Sequence, residues 1–455
     1  MAWLEALNSF LWGLAADWIT LVGVFLSLGL QLLPLQRLPW ACREFWRSLR
    51  DRRAGPGEIS SFAALMTALG GTLGVGHLTG VAISLGVGGP GVLPWMWLVA
   101  LVGMATKYSE TFLAVRFRQR DAHGQVVGGP MEAIRHGLGR RWSWLAMLYA
   151  ALATLGVFGL GNGVQAQQLA LGVQELSGAP PLLTGLVVAP LLWLALAGGL
   201  PRISRLCTLL VPLMTVSYLV AVALVLLSHA AQVPPLLGRM VAEAFRPAAL
   251  AGSALGLTVH TAVRGAVFAN EAGLGTASIA HASASPADPV RQGAIAMLGN
   301  LVSLLVCSAT GLLVLASGVL EPLQGADGHV HWPLLGRGVL GLQMLREAFL
   351  WGAAGSRWIV DVSLALFALT SLLAFGYYGE RCLTFLLGGR GRRPFRLAWV
   401  GVLVLACGHS LPGLWWMAET IEALMVLPNL LALLLLSSLV FRATRRQNEG
   451  APTHP

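Results

Sequence analysis

The chain has 455 residues, 56% hydrophobic and 11% charged, with a mean hydropathy of +0.71; these values exclude an ordinary soluble globular protein and place it among polytopic membrane proteins. The formal charge of +10 does not argue for nucleic acid, because no basic stripe interleaved with aromatics accompanies it and loop charge in a membrane protein sets orientation. Five cysteines, Cys42, Cys207, Cys307, Cys382 and Cys407, are scattered without a CxxC pair, so they read as core residues, with no disulfide framework or zinc site.

The first apolar segment, about residues 15 to 33, lacks a basic leader and a small-residue cleavage site and reads as a retained membrane helix. With the arginine-rich stretch that follows it, it makes up residues 1–58. A core from 59 to 441 and a short tail, 442–455, complete the domain plan. Spanning segments are expected near 15–33, 60–87, 92–115, 143–171, 181–198, 206–228, 249–279, 293–317, 358–387, 395–411 and 415–441, eleven in all. Alternate loops are arginine-rich, as at Arg37 to Arg53, Arg116 to Arg141, Arg202 and Arg205, Arg390 to Arg396, and Arg442 to Arg446. The positive-inside rule then puts the amino terminus outside and the carboxyl terminus in the cytoplasm of a cell inner (plasma) membrane. The long loop 318–357 is expected to carry a short surface helix around Val339 to Phe349.

Two spans carry breaks. In residues 60–91, Gly70, Gly71, Gly74, Gly76 and Gly80 crowd the middle of a membrane-length helix. Each glycine weakens a helix by about 1 kcal/mol relative to alanine. Freed backbone groups survive in lipid only where they line a cavity or bind something, so the break reads as a binding site, with close helix packing as the plain alternative. The GxG is no dinucleotide loop, since neither a preceding strand nor a ribose-binding acid is in place. The second interrupted span lies five helices later, with Gly252, Gly256, Gly265, Gly273 and Gly275 around Asn270 and Glu271. One enters the membrane from each side, the signature of an inverted five-plus-five repeat, about 59–228 and 249–441, with the first helix as an addition. The fold class is therefore all-α integral membrane.

An amino-acid carboxylate needs backbone N–H donors at the positive end of a half-helix, which an opened segment Thr72, Gly74, Val75, Gly76 supplies without side chains. Glycine there also lets the backbone approach a small ligand.

The blocks GGPGVLPWMWLVALVGMATKYSETF, VVGGPMEAIRHGLG, GLGNGVQAQ, ANEAGLGTASIAHASA, PVRQGAIAMLG and LTSLLAFGYYGERCL, between Ser60 and Arg381, together resemble the alanine or glycine:cation symporter family. The resemblance implies a leucine-transporter-like fold, a small amino-acid substrate and sodium as coupling ion. It places Gln165, Phe268, Asn270 and Phe375 at the substrate. It also implies a sodium site made of the Thr370 and Ser371 hydroxyls and the carbonyls of Gly70, Leu73 and Phe367, oxygen ligands that suit a hard cation. Without the family, those hydroxyls would read as bonding back to their own helix.

Three positions depart from the family pattern. His77 stands where asparagine is typical, Ser303 where aspartate is, and Phe375 where tryptophan is; Arg264 sits one residue off. His77 reads either as a proton carrier or as a neutral imidazole hydrogen-bonded in the bundle. Lys107 and Glu110, three apart on one helix, and Glu380 with Arg381 read as structural ion pairs. Glu271 reads as support for the second break or a gate. The expected function is sodium-coupled import of alanine or glycine by alternating access. The alternatives are a proton-coupled or otherwise altered relative, and a transport-incompetent amino-acid sensor. No HExxH, GxSxG or paired catalytic acids point to an enzyme, and no cofactor or nucleic-acid partner is expected.

Overall fold

The computed structural model describes residues 2–50, 58–121, 124–245, 253–320, 323–324, 330–331, 339–409 and 412–448. Helices dominate because lipid offers no partner for backbone N–H and C=O groups, which a helix satisfies within itself. Among the described residues, seven helices are long and apolar enough to cross a membrane: Leu7–Gly29, Val92–Arg116, Arg140–Ser177, Gly199–Ser228, Pro289–Ala316, Arg357–Gly408 and Trp416–Gln447. Along Gly199–Ser228, Leu209, Leu213, Val216, Val220, Leu224 and Leu227 are 51–71% exposed, a continuous apolar face of the kind that lipid covers.

Both interrupted spans are broken as their glycines imply. The first runs as Ser61–Thr72, then a short 3₁₀ turn Val75–His77, then Thr79–Gly88. The second runs as Ser253–Asn270 and resumes at Thr276–His281. Gly252 lies outside the described residues, as does the side-chain environment at Gly256. The halves pair crosswise: Ser61–Thr72 packs against Thr276–His281, and Thr79–Gly88 against Ser253–Asn270. A two-residue parallel ladder, Ile59 with Ala284 and Ser60 with Ser285, joins their outer ends.

Helix Val339–Gly352 forms where a surface helix is expected: Gln343 and Glu347 are exposed, while Leu342, Leu345, Ala348 and Phe349 are at most 2% exposed, because one apolar face seals against the bundle beside Tyr218. The arginine-rich stretch after the first helix carries a helix, Leu38–Ser48; Glu44 anchors it through Arg47 at 2.6 Å and Arg291 at 2.8 Å. One expectation, the pairing of Glu380 with Arg381, needs correction, since successive residues on a helix do not face each other. Glu380 takes Arg396 at 2.6 and 2.8 Å, while Arg381 donates to Gln125 at 3.0 Å. Four of the five cysteines are buried and Cys42 is partly so.

Candidate substrate and ion site

At the first break the chain leaves helical hydrogen bonding after Thr72. The freed Val75 N–H donates to Gln165 Oε1 at 3.2 Å. Gln165 follows a π-helical stretch, Val157–Val164; such wide turns are rare and gather at functional sites. Its glycines permit close approach: a Cβ on Gly161 would stand 2.6 Å from the Phe375 ring, and one on Gly159 would stand 2.5 Å from Ala418. The structure thus brings Gly74, Val75, Gln165 and Ser371 together, with Phe375 packed against the π-helical turn that leads into Gln165. A Cβ on Gly74 would meet Ser371 Oγ at 2.9 Å and Gln165 Nε2 at 3.0 Å.

Ser371 Oγ donates to the Gly70 and Gly71 carbonyls at 3.1 and 3.2 Å. Thr370 Oγ1 donates to the Phe367 and Leu366 carbonyls at 3.0 and 3.1 Å and also lies 3.4 Å from Met214 Sδ. Ser371 Oγ therefore lies beside carbonyls of the first broken helix, whereas Thr370 Oγ1 bonds back into its own helix and faces Met214. A hydroxyl beside carbonyls fits a hard monovalent cation exchanging for the hydroxyl hydrogen bonds.

His77 is fully buried, and its Nε2 stands 2.7 Å from Ser303 Oγ. Ser303 has one proton and faces two acceptors, Asn270 Oδ1 and the Ala269 carbonyl at 3.3 Å. Its hydroxyl serves those acceptors besides the ring nitrogen, and the ring is also hydrogen-bonded to the Gly74 backbone. His77, Ser303 and Asn270 connect the two breaks. The backbone at Phe268 lies within Ser253–Asn270, but its side chain is outside the described residues.

The second break is held by residues from three other helices. Glu271 sits in the left-handed region at φ +51°, unusual for a residue with a Cβ. Lys107 Nζ donates to the Glu271 carbonyl at 3.2 Å. Gly273 N–H donates to Glu110 Oε1 at 2.9 Å. Asn429 Nδ2 bridges Glu110 Oε1 and the Gly273 carbonyl, both at 2.8 Å, and Tyr149 donates to the Leu274 carbonyl at 2.8 Å. Lys107 and Glu110, read from sequence as a pair, thus brace the break side by side, because the opened backbone offers each a partner. The freed N–H goes to Glu110, whereas the Glu271 carboxylate accepts the Thr276 hydroxyl at 2.8 Å. Arg264 reaches Asn8 Oδ1 at 3.0 Å and pairs with Glu419, with its guanidinium over the Trp12 ring. Asn429, Tyr149 and the π-helical turn escaped the sequence reading. The glycines at 156, 159, 161 and 163 were the one available sign of the turn.

Two discontinuous helices, crossed half against half inside an apolar bundle, form the architecture in which secondary transporters build midplane binding sites. The match to the solved structure of MhsT with L-phenylalanine has a TM-score of 0.58 at 14% identity, covers 87% of this chain and 99% of that one, and gives a leucine-transporter-like fold. The chain belongs to the sodium:alanine symporter family, whose profile matches residues 1–451. It is 37% identical over 451 residues to an uncharacterized transporter of Haemophilus influenzae, covering 97% of this chain and 95% of that one. It is 35% identical over 452 residues to the sodium/alanine symporter AgcS of Methanococcus maripaludis, covering 98% and 96%.

Proposed function

We propose that this protein imports a small neutral amino acid, alanine or glycine, together with sodium by alternating access. The observation that carries the reading is the first break, where Val75 N–H, the Gln165 carboxamide and Ser371 Oγ converge at a glycine. In this reading the substrate carboxylate displaces Gln165 from Val75 N–H and takes the positive end of the half-helix. Phe375, packed on Gly161, closes the pocket to a small side chain. Phe268 and Asn270 contribute from the second broken helix. Sodium, as co-transported cargo, is held by Thr370, Ser371 and the carbonyls of Gly70, Leu73 and Phe367. His77 serves as a neutral tether, and Glu271 supports the second break as part of a gate.

The architecture proposed for this activity is an inverted five-plus-five repeat, about 59–228 and 249–441, after one extra helix. Eleven crossings result when each broken span and the shorter apolar helix Pro181–Ala197 count as one, and Arg357–Leu387 and Arg392–Gly408 count separately. The amino terminus lies outside and the carboxyl terminus in the cytoplasm. Uptake of radiolabelled alanine and glycine into proteoliposomes, under an imposed sodium gradient and then a proton gradient, tests the proposal. Accumulation driven by inward sodium is expected; uptake indifferent to sodium would overturn it.

A further inference from the structure

A cavity of about 530 Å³ lies apart from both breaks, between the connection Leu196–Ile203, the end of helix Arg357–Leu387 and the start of Arg392–Gly408. Arg381, Arg390, Arg392, Arg393 and Arg396 line it, and Glu380 is the one carboxylate among its described lining residues. Glu380 is engaged in a two-pronged pair with Arg396. Asp121, just outside the lining, takes Arg392 at 2.9 Å and lies 3.9 Å from Arg381. Five guanidinium groups therefore answer to two carboxylates. Arg390 and Arg393, both exposed, have no carboxylate within ion-pair distance among the described residues. Guanidinium forks match phosphate oxygens in shape as well as charge.

The surroundings tell what kind of phosphate fits. Opposite the arginines the cavity is lined by Leu196, Ala197, Leu200, Pro201 and Ile203, and Leu387 and Leu397, flanking the arginine turn in sequence, are 60% and 65% exposed. A ligand seated here meets cations on one side and apolar side chains on the other. Basic pockets between membrane helices hold anionic head groups in this way. We propose that this cavity binds the phosphate of an anionic phospholipid, with Arg390 and Arg393 as its direct partners and Arg381 and Arg392 behind them.

The test uses the full chain purified in detergent. Lipid retention is measured by native mass spectrometry, and thermal unfolding is followed with added phosphatidylglycerol, phosphatidylcholine or inorganic phosphate. Phosphatidylglycerol is expected to be retained and to raise the unfolding midpoint, whereas phosphatidylcholine and inorganic phosphate do neither. The double variant Arg390→Ala/Arg393→Ala, which removes exposed side chains without ion-pair partners, should keep the lipid-free midpoint and lose roughly tenfold or more in phosphatidylglycerol affinity. Unchanged affinity in that variant overturns the proposal. So does an equal effect of phosphatidylcholine, which would make the cavity a general lipid groove, or of inorganic phosphate, which would make it a site for a soluble anion.

Discussion

His77 Nε2 lies 2.7 Å from Ser303 Oγ, so two positions that depart from the family pattern meet each other. Ser303 continues the chain to Asn270 at the second break. The imidazole and the hydroxyl therefore replace two independent changes with one hydrogen-bonded tie between the discontinuous helices. The ring is also hydrogen-bonded to the Gly74 backbone, so the tie is anchored at the first break itself.

The first expected outcome concerns the drive. With sodium equal on both sides of the membrane, alanine uptake plotted against pH should overlap for wild type and His77→Asn. The variant should instead be less stable, because shortening the side chain takes the ring partner from the buried Ser303 hydroxyl, at about 1–3 kcal/mol. Thermal unfolding measures that loss. A pH response present in wild type and absent in the variant would make His77 a proton carrier.

Gly74→Ala should weaken alanine binding and Gly74→Leu should abolish it. The first methyl group already falls 2.9 Å from Ser371 Oγ and 3.0 Å from Gln165 Nε2, closer than packed atoms allow. A loss of about tenfold, or 1.4 kcal/mol, for the alanine variant is expected. Calorimetric titration of purified protein, alongside a folding check by circular dichroism, decides it.

Thr370→Ala/Ser371→Ala should remove the sodium dependence of uptake. Ser371 faces the Gly70 carbonyl and Thr370 the Phe367 carbonyl, so the double variant deletes both side-chain oxygens of the proposed shell. Uptake measured over a sodium series would show a flat response. A retained response would place the ion elsewhere.

Glu110→Ala should cost more stability than Glu110→Gln. Alanine leaves the Gly273 N–H buried without an acceptor, a penalty of about 1–3 kcal/mol, while glutamine keeps an oxygen for it. Asn429→Ala, which removes a donor from both Glu110 Oε1 and the Gly273 carbonyl, should fall with the alanine variant. Unfolding midpoints of the three proteins, with uptake rates beside them, give the comparison; equal midpoints would remove Glu110 from the brace.

Membrane residence, the two breaks and the short helix near Val339 were legible in the sequence alone. Each depends on local composition: glycine weakens the helix where it stands, and an apolar run seeks lipid wherever it folds. The partners of buried polar groups were not legible. Val75 meets Gln165 across 90 residues and His77 meets Ser303 across 226; Glu110, not Glu271, accepts the Gly273 N–H. Glu380 turns from Arg381 to Arg396, and Val339–Gly352 buries a face that composition left ambiguous. Such pairings follow from which helices become neighbours and how each is rotated about its axis. Only the tertiary structure decides that, because the free energy of a buried hydrogen bond depends on a partner that the local sequence does not contain.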